Sequence, residues 1–283
     1  MSDRLAALRV GLCYRWRHGR WPNLARPRLF TEWVQWRKLH DRDPRLPALA
    51  DKVRAKAFVT ERLGAEWVTP TLWRGAALPA DPVWPRPFVV KSRHGCNQTA
   101  FVHDERDWAG LGARTGGWLK RHYGWWLDEW AYGRIERGLL VEPFLGATRV
   151  SPLDYKLFVF GGRVEAVQVH LDRDGAHRWI VFDRRWRRVS GASADADPPQ
   201  PVSLAGMIAA AEILAAEFDF VRVDFYEVAG QPVFGEMTFY PGSGLYRLDP
   251  VGLDAAWGEH WRRARAPVRA IAVPVTRSIA GGR

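Results

Sequence analysis

Cysteine is almost absent from this chain of 283 residues. Cys13 and Cys96 stand far apart and show no metal-ligand spacing, so a reducing, cytoplasmic setting is the simplest one. No run of about twenty apolar residues occurs, which excludes a membrane-spanning helix. The opening stretch, MSDRLAALRVGLCYRWRHGR, lacks the apolar core and cleavage site of a secretory signal. The G-x-x-x-x-G-K pattern of a Walker A phosphate loop is also missing.

What is present points to a globular protein. Apolar residues make up 47% of the chain and tryptophan occurs sixteen times, which is bulky core material and not the composition of a disordered chain. The length suits one large domain or two to three small lobes. The formal net charge of +11 permits nucleic acid, acidic lipid or anionic small molecules as partners. Basic residues are spread along the chain and mixed with acids. The densest cluster, RRWRR at 184–188, reads as a solvated loop more readily than as a nucleic-acid groove.

The stretch FVRVDFYEVAGQPVFGEMTFYPGSG, residues 220–244, reads as a β-hairpin followed by a glycine turn. Side chains alternate between faces along a strand. Arg222, Asp224 and Tyr226 therefore share one face of the first strand, and Glu236 and Thr238 share one face of the second. A three-residue loop, Ala229 to Gln231, would set Asp224 opposite Glu236 and Arg222 opposite Thr238. Two carboxylates directly opposed on a sheet repel each other. A cation between them removes the conflict, and oxygen ligands suit Mg2+ shared with nucleotide phosphates. One such pair by itself is more often the wet outer face of a hairpin. The neighbouring Val221, Val223, Phe225, Val233 and Phe234 point instead to strands covered by protein, where acids need a partner or a metal.

Upstream, FTEWVQWRKLH at 30–40 has a short helical stripe. The Arg and Trp residues of the first fifty either lie on an anionic membrane surface or pack against the body, and packing is the default for so short a stripe. Residues 51–63 read as a helix with Asp51 as its N-cap. Lys52 and Lys56 share a face of it, which is either solvated or turned to a shared anion. Strands are expected at 88–90 and 99–102. The loop between them, with Lys91 at its root, is either an ordinary hairpin loop or one that turns backbone N–H groups toward a phosphate. Residues 107–123 read as a helix interrupted by Gly116 and Gly117. In LLVEPFL at 139–145, Pro143 confines the strand to an edge or a strand end, which is either an edge whose free groups an adenine base pairs with or a strand end with a solvent-facing Glu142. Residues 154–170 read as a hairpin turned at Gly161-Gly162, with Asp154 and Lys156 on one face and Gln168 and His170 on one face of the return strand. His170 is read as a satisfied surface residue. Ser203 is expected to cap a helix packed behind the central hairpin. The stretch from 251 onward reads as a loosely attached basic tail.

Taken in order, PRLFTEWVQWRKLHDRDP (27–44), DKVRAK (51–56), FVVKSRHG (88–95), LLVEPFL (139–145), DYKLFVFGGRV (154–164) and the 220–244 stretch resemble the TupA-like, teichuronopeptide-biosynthesis branch of the ATP-grasp superfamily. The resemblance implies an α+β ATP-grasp fold, with nucleotide held between two α+β lobes with antiparallel sheets. It divides the chain into an N-terminal segment and first lobe (1–75), a small lobe with the phosphate loop (76–145), a C-terminal lobe with the metal site (146–250) and a basic tail (251–283).

The implied activity is carboxylate–amine ligation. ATP phosphorylates a carboxylate to an acyl phosphate, and an amine displaces the phosphate to give an amide. The implied cofactors are ATP and Mg2+. Lys52, Lys91, Ser92, His94 and Gly95 would hold phosphates, Glu142 with Pro143, Phe144 and Leu145 the adenine, and Asp154 the ribose. Asp224, Glu236 and Thr238 would be metal ligands, with Thr238 where many ATP-grasp ligases have Asn. Arg222 and Lys156 would serve the transferring phosphoryl and the acyl phosphate. The turn at 241–244 would offer N–H groups near the metal, and no residue is assigned as general base. The branch suggests a uronic acid and an amino acid, joined on a cell-envelope polysaccharide or its precursor, in the cytoplasm or at the inner membrane face. The alternatives are a natural-product or peptide ligase on the same fold, and a non-enzymatic basic domain on nucleic acid or anionic membrane. Specific nucleic-acid binding is not expected.

Overall fold

The computed structural model describes residues 3–120, 122–171, 178–191 and 195–266. The N-terminal region is helical, with α1 (Asp3–His18), α2 (Phe30–His40), α3 (Arg45–Ala50) and α4 (Lys52–Leu63). A small antiparallel sheet follows, built from β1 (Trp73–Gly75), β2 (Phe88–Ser92), β3 (Thr99–Val102) and, after α5 (Leu111–Lys120), β4 (Leu139–Pro143). Its strand order is β1-β4-β2-β3. A larger antiparallel sheet contains β5 (Asp154–Phe160), β6 (Arg163–His170), β7 (Trp179–Asp183), β8 (Phe220–Val228) and β9 (Gln231–Thr238), in the order β7-β6-β5-β8-β9. The helix α6 (Leu204–Ala215) precedes β8, and α7 (Gly252–Arg265) closes the described chain. No helix among the described residues is long and apolar enough to cross a membrane.

The large sheet is covered on both faces, so β5 is buried along its whole length. Met207, Ala211 and Leu214 of α6 belong to the same core as Leu157, Val159, Val221 and Val223, and α6 packs on β5 and β8 as expected. On the opposite face, Phe158, Phe160 and Phe220 meet Phe30 of α2 and Trp257 and Trp261 of α7. The aromatic cover ends where this face turns polar, at Arg222, Asp224, Lys156 and Asp154. The site thus sits at the open end of a sheet face whose other end is sealed.

Several expectations are corrected. The stretch from 251 is a helix at Gly252–Arg265, not a loose tail. Trp257 and Trp261, one turn apart, are buried against α2, and Arg37 stacks its guanidinium 4.4 Å from the Trp261 ring centre. Residues 267–283 of that expected tail lie outside the described residues. The helix expected over 107–123 is confined to Leu111–Lys120. Ser203 does not cap α6, because its hydroxyl donates to Glu227 (2.6 Å). The strand β4 is not an edge, since β1 and β2 flank it, but Pro143 does sit at its end, where a missing N–H costs least.

The central hairpin reaches the expected pairing by a different route. Its loop is Ala229-Gly230 alone, both at positive φ as a tight two-residue turn requires, so Val228 pairs with Gln231. Continued without interruption, that register would set Asp224 against Gly235 and turn Glu236 to the other face. A bulge at Gly235 inserts one residue and restores Asp224 opposite Glu236 and Arg222 opposite Thr238. Glycine suits the bulge, because a Cβ there would come within 3.2 Å of the Asp224 carbonyl oxygen.

Candidate active site

Between the two sheets lies a cavity of about 350 Å3, large enough for a small-molecule site. Register explains its walls. On the small sheet, Val89 pairs with Phe101 on one side and Glu142 on the other, and Lys91 pairs with Thr99. Alternation puts Val89 and Lys91 on the same face, with Phe101 and Phe144 in edge contact beside them (5.7 Å). On the large sheet, Lys156, Asp224 and Glu236 form one cross-strand row, with Phe158, Arg222 and Thr238 behind it and Asp154 with Tyr226 before it. Asp154, Asp224, Tyr226 and Glu236 reach the cavity wall. Arg222, Lys156 and Thr238 stand just behind, bound to those acids.

The large-sheet row is a closed charge network. Arg222 holds both oxygens of Asp224 (2.7 Å each) and reaches Glu236 (3.2 Å) and the Thr238 hydroxyl (3.0 Å). Lys156 donates to Asp154 and Asp224, each at 2.6 Å. Burial works against the Lys156 ammonium, but Asp154 and Asp224 outweigh it and raise its pKa. Burial likewise opposes the Glu236 charge, yet Lys52, Arg222 and Lys156 hold that carboxyl below its usual range. Asp224 lies deeper, and there burial wins and pushes the carboxyl up despite its two cations. The two opposed acids are thereby shifted in opposite directions.

The donor set fits magnesium. Asp224, Glu236 and the Thr238 hydroxyl are hard oxygen donors at or next to the cavity wall. Among the described residues no group of three or more His, Cys, Asp or Glu side chains could form an all-protein cage. One or two carboxylates completed by phosphate oxygens and water is the usual mode for Mg2+.

The opposite wall is basic. Lys52, at the start of α4, donates to the Gly95 carbonyl (2.7 Å). Asp51 caps α4 by accepting from the Val53 N–H (2.9 Å), as expected, and also takes the Arg93 guanidinium through both oxygens. Arg93, which sequence reasoning passes over, therefore ties the loop after β2 to the helix that carries Lys52. Asp51→Ala is expected to cost about 1–2 kcal/mol through the lost cap alone, read as a lower urea midpoint.

Glu142 departs from expectation. Its side chain is buried, with one oxygen paired to Lys56 and the other to Lys91 (2.6 Å). It serves as a counterion for two lysines while still lining the cavity. Lys52 and Lys56 do not share an anion either, because Lys56 also donates to the Thr69 carbonyl (2.7 Å) and turns inward. Burial opposes the Lys91 charge, but Glu142, Tyr226 and Glu236 push it up to about 12. Burial lowers Lys56 even with Glu142 beside it. Burial also opposes the Glu142 charge, and the two lysines outweigh it and lower that carboxyl.

Of the residues expected at the phosphates, Lys52, Lys91 and Gly95 line the cavity, and so do Glu142, Pro143, Phe144, Leu145 and Asp154. Ser92 and His94 do not. Ser92 is fully buried, and the buried His94 ring lies 3.3 Å from the Trp118 carbonyl, so neither side chain reaches the cavity. In the turn at Pro241–Gly244, the Ser243 N–H is consumed by the Tyr240 carbonyl (2.8 Å) and the turn stands off the cavity wall. Val89, Phe101 and Tyr226 also line the cavity, without a role expected from the sequence. Period-2 alternation from Lys91 and Asp224 marks Val89 and Tyr226, whereas Phe101 requires the β2–β3 register.

None of the curated proteins compared matches this chain. Solved structures give distant likenesses. L-amino acid ligase from Bacillus licheniformis shares 14% identity at a TM-score of 0.46, covering 70% of this chain and 44% of that one. D-alanine–D-alanine ligase from Bacillus anthracis, complexed with ATP, shares 14% at 0.45, covering 77% and 63%. N5-carboxyaminoimidazole ribonucleotide synthetase from Thermus thermophilus shares 17% at 0.43, covering 74% and 51%. The chain thus spans between 44% and 63% of the length of these proteins. The TupA-like ATP-grasp family model, in contrast, matches residues 32–262, which takes in α2 through most of α7 and every wall of the cavity. With an α+β architecture of two antiparallel sheets about one polar cavity, this chain belongs to the TupA-like ATP-grasp family.

Proposed function

We propose that this chain is an ATP-dependent ligase that joins a carboxylate to an amine through an acyl phosphate. The observation that carries the reading is the acid row of Asp224 and Glu236, backed by Arg222 and Lys156 and faced across the cavity by Lys52 and Lys91. Phosphoryl transfer needs positioning and positive charge around the γ-phosphoryl oxygens. A binder of anions alone has no use for two opposed acids at the same wall.

In this reading, Lys52 and Lys91 hold the nucleotide phosphates from the small-sheet side, and Val89, Phe101 and Phe144 form the apolar slot for the base. The backbone at Leu145 takes the adenine edge, because the Phe144 N–H is already bonded to the Pro87 carbonyl (3.1 Å), and Asp154 takes the ribose. Asp224, Glu236 and Thr238 would hold magnesium, which would supply positive charge against the phosphate oxygens. The substrate carboxylate oxygen attacks the γ-phosphorus and the bond to ADP breaks. The amine then attacks the acyl carbon, phosphate leaves with the C–O bonding pair, and the ammonium proton is lost. Arg222 and Lys156 supply fixed positive charge for the acyl phosphate and the tetrahedral oxyanion. The carboxylate we assign to a uronic acid and the amine to an amino acid, on a cell-envelope polysaccharide or its precursor. The branch resemblance supports that assignment.

An ADP-release screen of uronic acids and amino acids, singly and in pairs, tests the reading. Magnesium-dependent release that needs both partners is expected; nucleotide binding with no substrate-dependent release from any pair would defeat it. Lys91→Ala is expected to weaken nucleotide binding by roughly tenfold, the loss of one charge-assisted contact. A nucleotide-induced thermal shift equal to that of the unaltered protein would remove Lys91 from the site.

A further inference from the structure

The helix α1 carries an apolar stripe that nothing among the described residues covers. Its inner face is anchored: Val10 and Tyr14 are buried, and the Tyr14 hydroxyl lies 3.0 Å from that of Thr31 on α2. On the outer face Leu5, Leu8, Leu12 and Trp16 are 56%, 53%, 50% and 83% exposed. At 100° per residue these four fall within about an 80° arc. Exposed tryptophans widen the stripe on both sides. Trp21 lies against Gly11, with Arg15 over its ring (5.4 Å), and Trp125 and Trp126 flank Arg9 at 5.8 and 5.9 Å. Single exposed apolar side chains are ordinary, but a contiguous patch of this kind marks an interaction surface.

Charge identifies the partner. Residues 4–28 contain seven arginines and no Asp or Glu. Arg4 and Arg15 are exposed and border the stripe. The acids that come nearest are already engaged, Asp128 by Arg9 and Glu32 by Arg20. An apolar stripe edged with arginine and tryptophan on a helix parallel to the protein surface is the pattern of an interfacial amphipathic helix. Tryptophan favours the headgroup level of a bilayer, and each basic residue near an anionic surface adds about 1 kcal/mol. An acidic protein would satisfy the arginines but not four adjacent exposed tryptophans and three leucines. Nucleic acid would leave the leucines wet.

We propose that α1, with Trp21, Trp125 and Trp126, is a docking face for an anionic lipid bilayer. The C-terminal end of α1 is stitched to the turn after β9, through Arg17 to the Leu245 carbonyl (2.9 Å) and His18 near the Gly244 carbonyl (3.1 Å). A bilayer on this face therefore lies beside the segment that follows the acid strand. The proposal does not depend on the ligase reading, and the nucleotide-induced thermal shift separates the two.

Vesicle flotation tests it. The protein is expected to float with phosphatidylcholine vesicles containing phosphatidylglycerol, not with phosphatidylcholine alone, and to be released as salt is raised. Leu12→Glu with Trp16→Glu is expected to lower vesicle affinity at least about tenfold, from lost apolar burial. Because both residues are exposed, its melting temperature and its nucleotide-induced shift should match those of the unaltered protein. Arg4→Gln with Arg15→Gln should narrow the preference for anionic over neutral vesicles. No flotation with anionic vesicles at low salt would overturn the proposal. So would undiminished flotation of the Leu12/Trp16 variant, a solution dimer that this variant dissociates, or salt-sensitive binding to duplex DNA with none to vesicles.

Discussion

Asp224→Asn is expected to lower magnesium-dependent ADP release by about 10^3-fold or more, the scale set by removing a charged group that acts on the transferring phosphoryl. The substitution is nearly isosteric. The remaining amide oxygen still accepts from Arg222 or Lys156, and Asp154 and Glu236 stay in place as counter-charges for those cations. The fold should therefore hold, and circular dichroism melting should change little. Glu236→Gln is expected to behave alike in turnover. It removes an acid that Lys52, Arg222 and Lys156 keep ionised, and ionised carboxylate is the form that binds metal. Full turnover in either variant would remove the metal assignment and leave the cavity as a nucleotide pocket with an unrelated acid pair.

Lys56→Met is expected to weaken nucleotide binding by about tenfold, or 1.4 kcal/mol, as much as Lys91→Ala, although Lys56 does not line the cavity. The reason is the shared counterion. Glu142 is buried and has a lysine on each oxygen. When phosphate draws Lys91 away, Lys56 keeps Glu142 paired. Without Lys56, the same movement strands a buried carboxylate, and an uncompensated buried charge costs several kcal/mol. Lys91 then stays with Glu142 and the phosphates lose it. Lys91→Ala forfeits one phosphate contact but leaves Glu142 paired with Lys56. Lys56→Arg restores the charge and should recover most of the affinity. Calorimetric titration of nucleotide into the three variants decides the matter. A smaller loss for Lys56→Met than for Lys91→Ala, or no rescue by arginine, would refute the shared-counterion account.

The acid pair shows how a correct sequence inference can rest on the wrong local geometry. A three-residue loop would place Asp224 opposite Glu236. The loop has two residues, and the Gly235 bulge supplies the missing offset. Both routes place both acids on one face, since loop and bulge each shift the register by one. The glycine before Glu236 is visible in the chain, but a glycine inside a strand marks a bulge only once the pairing is known. For β4 the sequence leaves an edge or a strand end open, and the structure selects the strand end. Pro143 signals a missing N–H, and nothing in LLVEPFL reveals that β1, three residues long, would flank its other side. The segment after 251 reads as a tail because arginines mask its spacing, although Trp257 and Trp261 carry the one-turn period of a buried face.

The amino-acid sequence alone determined the features that depend on near neighbours. These are the alternation that puts Arg222, Asp224 and Tyr226 on one face, the Gly161-Gly162 turn, the Asp51 cap and the face of α4 shared by Lys52 and Lys56. Each follows from the period of a helix or strand, or from a turn only glycine tolerates. Tertiary structure decided which charge each long side chain meets. Lys56 and Glu142 lie on different elements, and their pairing exists because the start of α4 is tied through Asp51 and Arg93 to the loop after β2. Packing also turned Ser92 and His94 away from the cavity. A lysine reaches several ångströms in any direction its rotamers allow, so only the folded arrangement selects its partner.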